Sequence, residues 1–200
     1  IRDRITSDEQ QVRELMDSVG KKAAYQTMQI PEATLRDLAV KALARQPSRH
    51  LALKSMRRKL HQITAPYLGD PDYGQATHEM HALFQEGDPD AIQKFCRMIM
   101  ASHVSTRERL LVLDGFYLRL FDEHGVPESI IDLACGLNPL SLRWMGLGKK
   151  ARYRAYDIHA PRVAFLNAFF QMEGVAGQAF IQDILVNPPL HTADAAFLFK

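Results

Sequence analysis

Up to about residue 128 the apolar positions of this chain recur at helical spacing; beyond it they fall into short runs broken by glycine, proline and polar turns. In the first part, Ser7-Asp8-Glu9-Gln10 fits a capping box and predicts a helix to about Val19. Pro31 predicts a second start, with Leu35, Leu38, Ala39, Ala42 and Leu43 on one face. Ser48 predicts the cap of a third, running to about Ile63, with Leu51, Met56, Leu60 and Ile63 inward. A loop at Pro66, Gly69, Asp70 and Pro71 precedes helices expected over 73–86 and 90–102, punctuated by Gly87-Asp88-Pro89. Ser105-Thr106-Arg107-Glu108 reads as another capping box, leading a helix that carries Leu110, Leu111, Leu113, Phe116, Tyr117, Leu120 and Phe121. In the second part, strands are expected at 129–134, 152–157, 179–183 and 194–200, with a short helix at 139–145 and a longer one at 161–172. Strand, helix, strand, helix, strand is the order of a parallel sheet with helical crossovers. The expected fold is therefore α/β, Rossmann-like, preceded by a helical subdomain. The domain boundary is placed between residues 102 and 103.

Composition narrows the picture. The chain has 200 residues, room for one domain and a small accessory one. No apolar run approaches the roughly 18 residues of a membrane span, and the first residues carry no signal-peptide pattern. Cys96 and Cys135 lie in unrelated contexts and read as free thiols of a reducing cytoplasm. The histidines are scattered, so no metal site is expected. The net charge of +2 hides a local bias: 36–61 holds Arg36, Lys41, Arg45, Arg49, Lys54, Arg57, Arg58 and Lys59 against the single acid Asp37. Such a stretch is either a solvated helix face or a footprint for a polyanion.

The second half bears on that choice. The first strand runs into Ala134-Cys135-Gly136-Leu137-Asn138-Pro139, and a glycine just past a strand lets a ligand approach the backbone closely. Asp157 ends the second strand, where an acid can accept from two ribose hydroxyls; Asp183 ends the third, where it can accept from an adenine amine. One glycine, rather than three, argues against a pyrophosphate cradle, since Asn138 and Pro139 replace the later glycines. No lysine followed by Ser or Thr stands at phosphate-loop spacing. The pattern fits an adenosine cofactor without phosphates, S-adenosyl-L-methionine, although another α/β domain with acids at its strand ends would also match. Asn187-Pro188-Pro189 precedes the fourth strand and lacks a following aromatic, so it reads as a turn. Trp144 reads as a core residue.

Asp132-Leu-Ala-Cys-Gly-Leu-Asn-Pro-Leu140 resembles the cofactor loop of the aminoglycoside-resistance 16S ribosomal RNA methyltransferases. His103-Val-Ser-Thr-Arg-Glu-Arg-Leu110 followed by Phe116-Tyr117 is similar to a second signature of that family. Gly20-Lys21-Lys22 with Tyr25, and Arg58-Lys59-Leu60-His61, resemble its basic motifs. The likeness runs through nearly all of the chain, and its extended helical front resembles the branch that methylates N7 of guanine 1405 in the assembled 30S subunit. It implies S-adenosyl-L-methionine as cofactor, with Asp157 on the ribose, Asp183 on the adenine, and Ala134 and Gly136 presenting backbone to the methionine part. Ile158 and Ile184, which follow the two acids, join that set. Arg109 is implied as partner of the cofactor carboxylate, with His103, Ser105 and Thr106 in the same pocket. Lys21, Lys22, Arg45, Arg49, Lys54, Arg57, Arg58 and Lys59 are the candidate RNA contacts. No acid–base residue is expected, because guanine N7 already exposes a lone pair. The resemblance further implies a cytoplasmic monomer that confers aminoglycoside resistance. The family's later strands would follow Lys200, which suggests a fragment. Alternatives are methylation of N1 of adenine 1408, or a non-catalytic ribosome-binding relative.

Overall fold

The computed structural model describes residues 2–20 and 28–199, with side chains from Asp8 to Val19 and from Met28 onward. It forms two compact units, Ile1–Leu68 and Gly69–Lys200.

The first unit is helical: α1 (Arg2–Gly20), α2 (Glu32–Arg45), α3 (Arg49–Thr64) and a 3-10 turn, Ala65–Tyr67. Because α1 already runs from Arg2, Ser7 lies inside the helix rather than at its cap. Ser48 does cap α3, its hydroxyl accepting from the Leu51 amide at 3.4 Å. The buried stripe of α3 is Ala52, Met56, Leu60 and Thr64. The expected inward Leu51 is exposed and Ile63 only half-buried, so the face is rotated by about one position. That stripe closes on Val12, Leu15 and Val19 of α1 and on Ala39 and Ala42 of α2.

The second unit holds α4 (Tyr73–Glu86), α5 (Pro89–Ala101), α6 (Val104–Arg107), a 3-10 turn (Glu108–Leu111), α7 (Leu113–Leu120), β1 (Ser129–Leu133), a 3-10 helix (Asn138–Trp144), β2 (Arg152–Asp157), α8 (Ala160–Glu173), β3 (Ala176–Ile181) and β4 (Ala195–Phe197). Asp72 caps α4 through the amides of Gly74 and Gln75, and Gly87, at φ 73°, ends it. Asp88 then caps α5, whose Pro89 costs no hydrogen bond at a first turn. The domain boundary falls at 68/69 rather than 102/103. The physical reason is packing: Tyr73, Met80, Phe95, Ile99 and Met100 of α4 and α5 share one core with Ile130, Tyr153, Leu166 and Phe170 of the sheet layer.

All strand pairings are parallel, in the order β3-β2-β1-β4. The chain steps outward from β1 to β2 to β3, then returns to the other side of β1. That reversal is a topological switch point, and ligands of open α/β sheets bind at the carboxyl ends beside it. Asp194 fastens β4: its carboxylate takes the amides of Glu128 and Ser129 and the Ser129 hydroxyl, at 3.1, 2.8 and 2.9 Å.

Candidate functional site

The loop after β1 leaves the switch point. Ala134 and Gly136 both adopt left-handed backbone, at φ 50° and 55°. For alanine this is strained by roughly 1–2 kcal/mol. The Cys135 amide donates to the Tyr156 carbonyl at 2.9 Å, and the Gly136 amide to Asp157 Oδ2 at 3.1 Å, so the loop is stitched to the end of β2. The Gln182 amide donates to the Asp157 carbonyl at 2.8 Å, which carries the row on to the end of β3. Gly136, Asp157 and Asp183 thus stand side by side along one sheet edge. Asp183 lies two residues beyond β3 rather than at its end, in a turn where its carboxylate accepts from the Leu185 amide at 3.0 Å. Ile158 and Ile184 are half-buried beside the two acids.

The segment before the sheet reaches the same loop. Residues 104–111 form a short α-turn and a 3-10 turn instead of one continuous helix, so the expected capping box at Ser105 does not form. A β-carbon on Gly136 would lie 3.4 Å from His103 Cε1, which places that imidazole against the loop. Burial, with the nearby Arg162 charge, lowers the His103 pKa, so the ring is neutral at neutral pH. Ser105 Oγ lies 3.0 Å from His103 Nδ1. Thr106 does not line a pocket: it is fully buried, and its hydroxyl donates to the carbonyls of Met100 and His103, at 2.6 and 3.1 Å.

Arg109 is half-buried, its guanidinium 4.6 Å over the Phe199 ring. One of its N–H groups donates to Asn138 Oδ1 at 3.1 Å; the others meet no acceptor among the described residues. A guanidinium fixed on one edge and open on the other suits a bidentate anion. Asn138 is the hub that holds it. It is fully buried, Tyr117 Oη donates to the same Oδ1 at 2.8 Å, and its own amide donates to Asp132 Oδ2 at 2.9 Å. Tyr153 Oη donates to that oxygen too, at 2.6 Å. Asp132 Oδ1 is buried with no hydrogen-bond partner among the described residues, and burial pushes this carboxyl up to about 7. Along the chain Asn138 reads only as the replacement of a glycine; its place as hub depends on Tyr117 and Arg109, more than twenty residues away.

The sequence pattern does not single out a second group of residues. Arg162 of α8 is buried beside Asp157, with Asp70, Tyr73 and His159 around it. A signal exists all the same: Arg162 stands at the spacing of Leu166 and Phe169, on the apolar stripe of its helix.

These residues fit an adenosyl amino acid: an anion-seeking guanidinium, a close-approach glycine and two acids in a row at the sheet edge. The chain matches the model of the ribosomal RNA methyltransferase (FmrO) family over residues 21–200. The chain belongs to that family. A 16S rRNA (guanine(1405)-N(7))-methyltransferase of Micromonospora echinospora is 34% identical over 198 residues, covering 98% of this chain and 72% of the relative. The enzyme of the same name from Proteus mirabilis is 26% identical, covering 94% and 70%. Among solved structures, the 16S rRNA methylase RmtB superposes with a TM-score of 0.72 at 25% identity, over 92% of this chain and 70% of its own. RmtF, solved in complex with S-adenosyl-L-homocysteine, does so with 0.68 at 29%, over 93% and 68%. The family and fold expected from the signatures at 103–110 and 132–140 therefore stand.

The basic stretch sorts into two kinds of cation. Arg36 pairs with Glu9, Lys41 with Asp37 and Arg49 with Glu14, at 2.5, 2.6 and 3.0 Å. Lys54, Arg57 and Arg58 of α3 are exposed and stand at helical spacing with exposed His50 and His61, forming one stripe turned away from the buried face. Lys59 is exposed but points elsewhere on the helix, and Arg45 is exposed at the end of α2. Lys21 and Lys22 lie outside the described residues. No helix among the described residues is long and apolar enough to cross a membrane.

Proposed function

We propose that this chain transfers a methyl group from S-adenosyl-L-methionine to N7 of guanine 1405 of 16S ribosomal RNA, within the 30S subunit. The observation that carries the reading is the row Arg109–Asn138, Gly136–Asp157 and Asp183 at the switch point, in a chain whose curated relatives bear that name. Bound there, the cofactor supplies an electrophilic sulfonium methyl. The residues of this chain bind and orient. Arg109 takes the carboxylate of the amino-acid part, Ala134 and Gly136 offer backbone to it, Asp157 accepts from the ribose and Asp183 from the adenine amine. His103 and Ser105 stand at the loop, and Ile158 and Ile184 flank the base.

Guanine N7 carries a lone pair in its neutral form, so transfer needs no general base, and the rate gain comes from alignment of nucleophile, methyl and sulfur. This agrees with a site whose ionisable groups are spent on holding rather than on proton transfer. In a paired A-form helix N7 faces a deep, narrow groove, so the target must be distorted or turned out before reaction. The stripe on α3, with Arg45, Arg49, Lys59, Lys21 and Lys22, supplies phosphate contacts. We read the working protein as a cytoplasmic monomer without metal, whose product modification confers aminoglycoside resistance.

The test offers the chain labelled cofactor with purified 30S subunits and, separately, with naked 16S RNA. Label should enter 30S and map to a single guanine at N7. Label at N1 of an adenine, or none in either RNA while the cofactor binds, would overturn the reading.

A further inference from the structure

We propose that Arg162, braced by Asp70 and Tyr73, is the positioning residue that sets the Asp157 carboxylate for a ribose. The inference rests on the reading of Asp157 as the ribose acceptor, and it goes beyond that reading by assigning what fixes the acceptor in place.

Arg162 is 1% exposed, an extreme burial for a guanidinium. Each of its nitrogens is directed. Nη2 lies 2.7 Å from both Asp70 oxygens, Nε donates to Tyr73 Oη at 2.9 Å, and Nη1 donates to Asp157 Oδ2 at 3.1 Å. Tyr73 in turn donates to Asp70 Oδ2 at 2.8 Å, and His159 Nδ1 lies 3.2 Å from that same oxygen. Burial alone would push the Asp70 carboxyl up, but His159, Arg162 and Tyr73 outweigh it and hold the pKa below its ordinary value, so the brace is an ionised one.

The consequence falls on Asp157. Its carboxylate is 3% exposed, and a polar group so buried must be met by hydrogen-bond donors. The Gly136 amide and Arg162 fix Oδ2, while the His159 amide fixes Oδ1 at 2.9 Å. Two of these donors are backbone groups of the loop and of the start of α8. The third is a side chain whose own direction is set by a segment 89 to 92 residues away in sequence. Stability by itself gives such a buried ionic group little advantage over apolar packing. Holding an acceptor in one orientation is what an arginine fork does and an apolar side chain cannot. The pairing of Arg162 with Asp70 also keeps its charge from being satisfied by Asp157 alone, so the acid is oriented rather than consumed.

Calorimetric titration of the full chain with S-adenosylhomocysteine and with its 2′-deoxy analogue tests this. In the unaltered protein the analogue should bind about tenfold more weakly, the loss of one hydrogen bond to a charged acceptor. Arg162→Lys and Asp70→Asn should lower affinity for S-adenosylhomocysteine about tenfold and close the gap between the two ligands to within about twofold, as Asp157→Ala should. Tyr73→Phe, which removes only the hydroxyl with its bonds to Arg162 and Asp70 and keeps the ring, should narrow the gap partway and carries the test if the other variants do not fold. If folded variants keep the full gap, Arg162 is a structural residue only and the inference falls. If the unaltered protein shows no gap, or Asp157→Ala leaves affinity unchanged, the ribose reading fails and takes the inference with it.

Discussion

At the scale of single residues, the site is governed by buried polar groups that have few alternatives to the partner they hold. Asp132 is the sharpest case. One oxygen accepts from Asn138 and Tyr153 while the other has no partner among the described residues, and burial raises the carboxyl to about 7. An unfolded aspartate titrates near 4. Between those values the folded state holds a proton that the unfolded state has lost, so stability declines as pH rises through that window. Asp132→Asn keeps the shape, can keep its oxygen toward the two donors, and cannot ionise. Its melting temperature relative to the unaltered protein should therefore climb from about pH 4.5 to about 7 and level off above; a difference that is constant with pH would contradict the raised pKa. The acids at 157 and 183 and the glycine at 136 were legible in the sequence because each stands at the end of a strand or just past it. Asn138, Tyr117, Asp70 and Arg162 were not, because their meaning lies in partners far along the chain.

At the scale of elements, local signals located most helices and strands. Ser48 and Asp88 cap where the sequence predicted, and Asp72 caps α4 in the same way, since capping needs only the next few amides. Where two local signals competed, the packing decided. The capping box at Ser105 yielded to a broken turn, because the Thr106 hydroxyl is drawn down to the Met100 carbonyl and His103 takes the cap position. β3 begins three residues earlier than its apolar run suggested, and the cause is Gly177. A β-carbon there would meet Phe170 Cδ1 at 2.3 Å, so α8 lies against the strand backbone at that point. Gly177→Ala should lower stability by about 1–3 kcal/mol through that overlap. Chemical denaturation reads it, and an unchanged midpoint would mean that α8 shifts away from β3 at no cost.

At the scale of the molecule, the residues proposed for the cofactor and those proposed for the RNA fall in different compact units. Asp157, Asp183 and Arg109 belong to the second, while the exposed stripe of His50, Lys54, Arg57, Arg58 and His61 belongs to the first. Polyanion affinity and cofactor affinity should separate accordingly. Charge reversal of Lys54, Arg57 and Arg58 should weaken binding to 30S subunits and flatten its salt dependence by about 0.7–0.9 for each phosphate no longer neutralised. Lys59→Glu, off the stripe, should cost less, and calorimetry should show unchanged affinity for S-adenosylhomocysteine in both variants. Equal effects from Lys59 and from the stripe would show that net charge, not its placement on α3, attracts the RNA.

Periodicity, caps and turns act over a few residues. That range was enough to establish, from the order of amino acids alone, the succession of helices and strands, the parallel α/β class, the loop at 134–139 and the acids at or just past its strand ends. Folding in three dimensions was needed to join α4 and α5 to the sheet, to turn Ala52 and Thr64 of α3 inward in place of Leu51 and Ile63, and to return β4 beside β1. It also chose the partner of each buried charge. A buried arginine or carboxylate can be satisfied by any complementary group brought within about 3 Å, and here those groups come from segments as much as 92 residues apart.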